Sequence, residues 1–336
     1  MPSLSALRAG LCLAALAAAP LHAEEPANWL VRVSDATHTA TYQGVLIYRG
    51  NDSLESLKIW HRSRGGDERE RLVSMSGEAR EVLRRGEEVT NIIPPERKIT
   101  VERQAGKGLF PAMSKETAQG LSSYYDLQEA GSGRVAGRPC KVLRILPRDG
   151  FRYGYDLCID DEHGVPLKIG LMDPTGRLLE QMMFTDVSFP ATIPDRALEA
   201  ETDTRGYQRV VRSVTADGAA AQPANWQARQ LPPGFSVRAR DVRVLGDGRS
   251  VEHLLISDGL SAVSVFSAQR PDEVFQGVSQ MGAVHAYGRR VGTIHFTVVG
   301  EVPRETVRMI GDGLLAPAEA RAPGAAAASQ GNDSPN

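Results

Sequence analysis

The sequence has no excess of either charge, and after its first residues it has no long apolar run. It carries 39 basic and 41 acidic residues among 336, which gives a formal net charge of −2. This near-neutral balance argues against nucleic acid as a partner, because phosphate backbones select strongly basic surfaces. A transmembrane helix needs about 20 predominantly apolar residues in a row, and we expect none beyond the amino terminus.

Signatures of catalytic sites are also missing. The sequence contains no Gly-x-Ser-x-Gly nucleophile elbow and no His-Glu-x-x-His zinc motif. The Gly-Asp-Gly runs at 246–248 and 311–313 lack the lysine and the strand–loop–helix setting of a phosphate-binding loop. Asp161, Glu162 and His163 fall in a turn sequence, which explains the cluster better than chemistry does. We therefore predict a protein that is not an enzyme and that has no cofactor and no metal site.

Cysteine is scarce, and one of the three cysteines lies in a predicted export signal. Residues 1–23 resemble a cleavable signal peptide: Arg8 precedes the apolar run 11–19, and Ala23 is a small residue at the expected cleavage point. The run is too short to span a bilayer, so a retained membrane anchor is the less favoured alternative. Cys12 would leave with the signal, and we expect a soluble mature protein outside the cytoplasm.

Most of the remaining chain shows the pattern of an antiparallel β meander, with short runs of alternating apolar and polar residues separated by turn residues. Two short helices are predicted at 27–39 and 112–127, and Gly120 weakens the second. The predicted organisation is a first domain at 24–190, a linker at 191–225, a second β-rich domain with a helix at 226–315, and a disordered tail at 316–336 rich in alanine, proline and glycine.

One predicted hairpin brings the two remaining cysteines together. If 148–150 is a three-residue loop, Cys140 faces Cys158 across the paired strands, at a spacing that permits a disulfide with some strain. A bridge and two free thiols both remain open. The opposite face of the hairpin is apolar and lines either a packed core or a lipid cleft, which the two short helices could fill; its residues are Leu143, Ile145, Phe151, Tyr153, Tyr155 and Leu157.

Several segments resemble, in order along the chain, the RseB/MucB family of periplasmic negative regulators of the envelope-stress sigma factor (sigma-E/AlgU type). The resemblance is strongest at 134–139 and 148–155, and it covers nearly all of 26–312. The cysteine pair and the alanine-rich tail depart from the family pattern. The segments that carry the resemblance are 44–49, 58–62, 124–127, 134–139, 148–155, 164–168, 176–181, 231–235, 257–261 and 298–303.

This resemblance implies a mainly β (α+β) fold: a large N-terminal half-open antiparallel barrel similar to the lipoprotein carriers LolA and LolB, followed by a smaller C-terminal β-rich domain with a helix. It also implies that the protein binds the periplasmic domain of a membrane-bound anti-sigma factor and protects it from regulated proteolysis. Lipid or lipopolysaccharide in an apolar cleft would be the signal that ends this protection. The resemblance further implies self-association into a homo-oligomer.

The second domain is the expected partner surface. Aromatic anchors suit protein interfaces, so Trp226, Leu231 and Phe235 are candidates for an exposed contact near the linker, although they fit a core equally well. The alternative function is a lipid or lipoprotein carrier of the LolA/LolB type. Such a carrier would keep the half-barrel but would not need residues 226–312.

Overall fold

The computed structural model describes residues 25–50, 53–103, 109–111, 113–212, 226–244, 250–269 and 275–315. The predicted signal peptide, residues 213–225 of the predicted linker and the predicted tail lie outside these ranges. Within them the chain is mostly β, in two separate larger sheets with short helices, which confirms the predicted fold class. No helix among the described residues is long and apolar enough to cross a membrane.

The first sheet has twelve strands, in the order β12-β6-β5-β4-β3-β2-β1-β11-β10-β9-β8-β7. All neighbours are antiparallel except β12 and β6, which are parallel. The edge strands β12 and β7 do not pair with each other, so the sheet does not close, as in a half-open barrel. The strands are β1 (Tyr42–Gly50), β2 (Ser53–Arg64), β3 (Asp67–Ser74), β4 (Glu81–Arg85), β5 (Glu88–Ile93), β6 (Lys98–Arg103), β7 (Tyr125–Val135), β8 (Arg138–Pro147), β9 (Gly154–Asp160), β10 (Pro166–Met172), β11 (Leu178–Ser188) and β12 (Gln208–Arg212).

Two helices pack on the inner face of this sheet. Helix α1 (Pro26–Thr39) begins with proline at its first position, where the missing N–H costs no helical hydrogen bond. Its buried side chains Trp29, Leu30 and Val33 join a core with strands β8 and β9. Helix α2 (Lys115–Leu121) is shorter than the predicted 112–127, because Ser114 caps its start and Tyr125 already belongs to β7.

The second domain is a six-stranded antiparallel sheet in the order β14-β15-β16-β19-β18-β17, covered on one face by a helix. A turn at Gly282 separates the paired strands β17 and β18. The elements are β13 (Gln227–Ala228), β14 (Ser236–Val244), β15 (Ser250–Ser257), β16 (Ala262–Gln269), β17 (Gly277–Met281), β18 (Val284–Val291), β19 (Ile294–Gly300), α3 (Arg304–Asp312) and β20 (Leu314–Leu315); β13 and β20 pair separately.

The first part of the predicted linker 191–225 packs on the outer face of the first sheet. Arg62 donates to the Ile193 carbonyl at 2.7 Å and to Asp195 at 2.6 Å, and Arg71 bridges Glu81 and Glu201 at 2.6 and 3.0 Å. A buried guanidinium needs such acceptors, so these arginines hold the segment against the sheet. Residues 213–225 lie outside the described residues, and the linker there stays a prediction.

The hairpin β8–β9 differs from the predicted register by two residues. Its loop spans 148–153 rather than 148–150, so Leu143 faces Leu157 and Cys158 faces Val142 instead of Cys140. The structure nevertheless joins Cys140 and Cys158 in a disulfide, with a Cα–Cα distance of 5.4 Å. Gly133 of β7 covers the bridge, and a Cβ there would lie 3.2–3.3 Å from the two sulfurs.

Removal of this disulfide should destabilise the first domain. The bridged residues are 18 apart in sequence, and closure of a loop of that length restricts the unfolded chain by about 3 kcal/mol. We therefore expect the double variant Cys140→Ala/Cys158→Ala to lose about that much free energy of unfolding, measured by urea denaturation. Ser132→Ala, on the neighbouring exposed edge, is the control. Equal stability of the double variant and the oxidised wild type would contradict this role.

Candidate functional site

A cavity of about 1230 Å³ lies between the inner face of the first sheet and the second domain. It exceeds the roughly 300–1,000 Å³ of pockets that hold small molecules, so it has room for an acyl chain or a peptide segment. Its apolar wall comes from both domains: Leu109, Phe110, Pro111, Tyr155, Ile169, Leu171 and Met182 from the first, and Ala239, Leu255, Leu260, Ala262, Val284 and Val299 from the second.

Charged and polar groups interrupt this apolar wall. The cavity is lined by the carboxylates of Glu87, Glu180, Asp241 and Glu301 and by the guanidinium groups of Arg103 and Arg238. Tyr48 donates a short hydrogen bond to Glu180, and burial together with this carboxylate raises the pKa of the phenol well above its usual value. A ligand in the cavity therefore meets fixed acceptors beside apolar surface, which orients an amphipathic molecule.

One hydrogen-bonded chain in the cavity wall has the residue types of a hydrolase triad. His253 lies 3.2 Å from Asp241 Oδ2 through Nδ1 and 3.0 Å from Ser264 Oγ through Nε2. Ser264 sits inside the central strand β16, which is paired on both sides. Acyl transfer needs free donors beside the nucleophile to hold an oxyanion, and a strand paired on both sides uses its amides in the ladders. This arrangement fits a binding wall better than a catalytic centre.

The two domains are joined beside the cavity by a buried arginine. Arg152, in the loop between β8 and β9, is fully buried and donates to Asp258 Oδ2 of the second domain at 2.9 Å. Its other nitrogens donate to the Pro233 carbonyl and, at 3.1 Å, to Asp149 Oδ1. The rings of Tyr124, Tyr125 and Phe235 surround the guanidinium at 5.0–5.3 Å.

Asp258 is held as firmly as its partner. Its Oδ1 accepts the backbone N–H groups of Leu260 and Ser261 at 2.9 and 2.7 Å, and its Oδ2 also accepts the Tyr125 hydroxyl at 2.9 Å. Burial and the nearby carboxylate raise the pKa of Tyr125 well above its usual value, so this hydroxyl stays a donor. Each oxygen of the Asp258 carboxylate thus accepts two hydrogen bonds.

At this junction the backbone of the second domain lies in close contact with side chains of the first domain. A Cβ on Gly259 would lie 2.5 Å from Thr117, and one on Gly234 would lie 2.5 Å from the Tyr124 ring; both glycines have positive φ, at 105° and 81°. Further contacts join the domains on another side of the cavity. Thr306 donates to the Phe151 carbonyl at 2.6 Å, and the Ala283 N–H donates to Glu180 at 3.3 Å.

The structure separates the residues that were predicted to line a lipid cleft. Leu143, Ile145 and Leu157 are wrong as cleft residues, because they lie in the core under α1 and α2 with exposures of 0–1%. Tyr155 does line the cavity. Phe151 and Tyr153 lie at the domain junction, where Phe151 accepts from Thr306 and the Tyr153 hydroxyl lies 3.3 Å from His285.

Two of the three partner-surface candidates are also corrected. Trp226 and Phe235 are 2% and 6% exposed, in the core of the second domain, and Leu231 packs partly against the same core. Trp226 and Phe235 are therefore wrong as exposed anchors, because the small domain uses its few large side chains to cover the sheet, whereas the role of the half-buried Leu231 stays a prediction. Sequence reasoning missed Arg152 and Asp258; both fall within the quoted segments 148–155 and 257–261, but nothing in one sequence marks a charge as buried.

Comparison with known proteins gives matches over both domains. Residues 25–202 match the family model of the MucB/RseB N-terminal domain, and 220–315 match that of the MucB/RseB C-terminal domain. The sigma factor AlgU regulatory protein MucB of Pseudomonas aeruginosa is 34% identical over 310 residues, covering 89% of this chain and 94% of the relative. The sigma-E factor regulatory protein RseB of Escherichia coli is 28% identical, covering 85% and 89%.

Solved structures of similar proteins agree with the fold. The MucA/MucB complex of Pseudomonas aeruginosa has a TM-score of 0.69 and 30% identity, covering 87% of this chain and 99% of the matched one. MucB in complex with MucA(peri) has a TM-score of 0.68 and 29% identity, covering 87% and 99%. The similar curated proteins are named as regulatory proteins.

Loss of the buried arginine should destabilise the junction between the domains. Arg152→Met leaves the Asp258 carboxylate buried without its cation, and such a broken pair costs about 3–5 kcal/mol. We expect that loss in urea unfolding, together with a wider separation of the domains in small-angle scattering. Arg148→Met, on a half-exposed neighbour in the same loop, is the matched control. A variant as stable and as compact as the wild type would contradict the role of the pair.

Proposed function

This chain belongs to the MucB/RseB family, and we propose that it is a periplasmic regulator of a sigma factor of the sigma-E/AlgU type. It would bind the periplasmic domain of a membrane-bound anti-sigma factor, protect it from regulated proteolysis, and release it when lipid or lipopolysaccharide occupies the cavity between the domains. The relatives' names and the solved MucA–MucB complexes support the regulatory part of this proposal. The predicted signal peptide supports the periplasmic location.

The observation that carries the proposal is the cavity between the domains. Protection from a protease requires that the cleavable segment be withdrawn from solvent, and a cavity of about 1230 Å³ with walls from two domains can enclose an extended segment. The apolar residues Ile169, Leu171 and Leu255 offer burial to apolar side chains, and each buried CH₂ contributes about 0.8 kcal/mol. Main-chain groups of the segment would meet the carboxylates and guanidinium groups of the wall.

The same wall supports a lipid signal. Acyl chains and apolar peptide side chains are held by the same burial of apolar surface, so a lipid in the cavity would compete directly with the anti-sigma segment. The second domain supplies about half of the apolar wall. A carrier of the LolA/LolB type would not need this contribution, whereas the regulatory hypothesis uses it to hold the anti-sigma segment between the two domains.

A bulky cation in the cavity should weaken partner binding. Ala262 is an exposed wall residue of β16, and Ala262→Arg would fill the space and leave a charge beside apolar surface. We expect the dissociation constant for the recombinant anti-sigma periplasmic domain to rise at least about tenfold, which corresponds to about 1.4 kcal/mol, in calorimetric titration of the mature protein. Ser279→Arg, exposed on β17 and outside the cavity wall, is the control.

Two results would contradict the proposal. The first is no binding of the anti-sigma domain by the wild-type mature protein. The second is equal affinity of Ala262→Arg and Ser279→Arg. The lipid arm is tested in the same titration, with lipopolysaccharide added at increasing concentration. The affinity for the anti-sigma domain and the protection of that domain from the protease should fall together as lipopolysaccharide is added. An affinity that lipopolysaccharide does not change would contradict the proposed lipid signal but not the binding of the anti-sigma domain.

A further inference from the structure

A single carboxylate oxygen is shared by two histidines where α1 ends on the first sheet. Glu68 Oε1, on β3, lies 3.0 Å from His38 Nδ1 in the last turn of α1 and 3.2 Å from His61 Nε2 on β2. The other ring nitrogen of His61 lies 2.7 Å from the Ala40 carbonyl oxygen, just after the helix. His61 is 1% exposed, and His38 and Glu68 are about a quarter exposed. These contacts tie the end of α1 to two strands.

The geometry of the cluster requires protons on the rings. A carbonyl oxygen and a carboxylate oxygen only accept hydrogen bonds, so both nitrogens of His61 must carry a proton for both contacts to form while Glu68 is ionised. A neutral imidazole has one N–H. When His61 is neutral, it must give up either Ala40 or Glu68, and a neutral His38 loses the charge that strengthens its bond to Glu68.

The charges that face the cluster favour the protonated form of His38. Glu70 of β3 supplies a second carboxyl, whose own pKa burial raises, and Arg84 of β4 supplies the opposing cation. Tyr42 of β1 stacks on the His61 ring, with the ring centroids 4.8 Å apart. The hydrogen bond to Glu68 raises the pKa of His38 above 6.5. Although burial opposes it, hydrogen bonding from His38 and His61 lowers the pKa of Glu68 to about 2.

We propose that His38, His61 and Glu68 form a proton-operated clamp that fastens the end of α1 to the sheet. The raised pKa of His38 keeps its charged contact with Glu68 fully formed below pH 6.5 and weakens that contact as the pH rises through the folded value. A lowered Glu68 pKa keeps it intact above 4.5 and releases it only as the pH falls toward about 2. Mild acidification from neutral pH therefore tightens α1 on the first domain.

The clamp is linked by contacts to the cavity. Ser34 of α1 accepts the Met113 N–H at 2.7 Å, directly before α2. Phe110 and Thr117, on either side of that contact, line the cavity wall, and Thr117 also touches Gly259 of the second domain. A loosened α1 thus removes support from one wall of the cavity. The clamp itself needs no partner, so its test is independent of the proposed function.

Hydrogen exchange of the α1 amides at pH 5.5 to 8.5 tests the clamp on the wild-type mature protein. After correction for the intrinsic pH dependence of exchange, α1 should open more often as the pH rises. The change should be about tenfold for each unit by which the folded His38 pKa exceeds 6.5. Glu68→Gln, which removes the shared carboxylate, should make α1 opening independent of pH, and His38→Gln should reduce its pH dependence. His295→Gln, on a buried histidine of the second domain, should keep the wild-type dependence.

Each other outcome overturns the clamp. Wild-type α1 protection that does not change with pH contradicts it, as does a wild-type pH dependence that survives in Glu68→Gln. If Glu68→Gln does not fold, the ring proton signals of wild-type His38 are titrated by NMR instead. A His38 midpoint at or below 6.5 would then overturn the proposal.

Discussion

The arrangement of the two domains depends on one buried ion pair, Arg152 with Asp258. A buried charge is tolerated only when it is paired and when its remaining donors or acceptors are satisfied. Here each guanidinium nitrogen has an acceptor, and the carboxylate has four donors. The pair fixes the relative position of the domains more than it adds net stability, because its Coulomb attraction mainly offsets the cost of burying both charges. Removal of either partner still destabilises the protein, because the other charge stays buried without a partner. Together with the contacts of Thr306 with Phe151 and of Ala283 with Glu180, this pair holds the domains face to face beside the cavity.

The position of the pair explains the character of the candidate site. The junction holds the domains together at Tyr125 and Asp258, and the cavity opens beside strands β9–β11. A ligand there contacts both domains at once, so its binding is sensitive to their separation. A regulator that must hold a partner and later release it needs such a site. A closed single-domain barrel would enclose a lipid without coupling it to a second surface.

The sequence predicted the elements well where alternation and turn residues are strong. The predicted antiparallel meander is confirmed at strands β1, β8 and β10, where glycine, proline or charged turn residues flank the alternating runs. The register of β8–β9 was wrong by two residues, because the loop spans 148–153 rather than the predicted 148–150. Strand β7 begins inside the helix predicted at 112–127. Its glycines and polar residues weaken the alternation in the sequence, and its pairing with β8 supplies the order.

The site itself was only partly predictable. Tyr155 was placed on a ligand cleft and lines the cavity, whereas Leu143 and Leu157 share its pattern and are core residues. Alternation in the sequence identifies an apolar face of a strand, but tertiary packing decides whether a core or a cavity lies against that face. The same limit applies to Trp226, because the sequence is equally compatible with an exposed interface residue and with a core residue at this position.

The most direct test of the central claim is site-specific photocrosslinking from inside the cavity. A benzoylphenylalanine at position 255, where Leu255 lines the wall, is irradiated in the presence of the anti-sigma periplasmic domain, and the same group at the exposed Leu146 serves as reference. We predict a crosslink from position 255 that lipopolysaccharide suppresses, and none from position 146. A crosslink from position 146 alone would contradict the assignment of the cavity as the partner site.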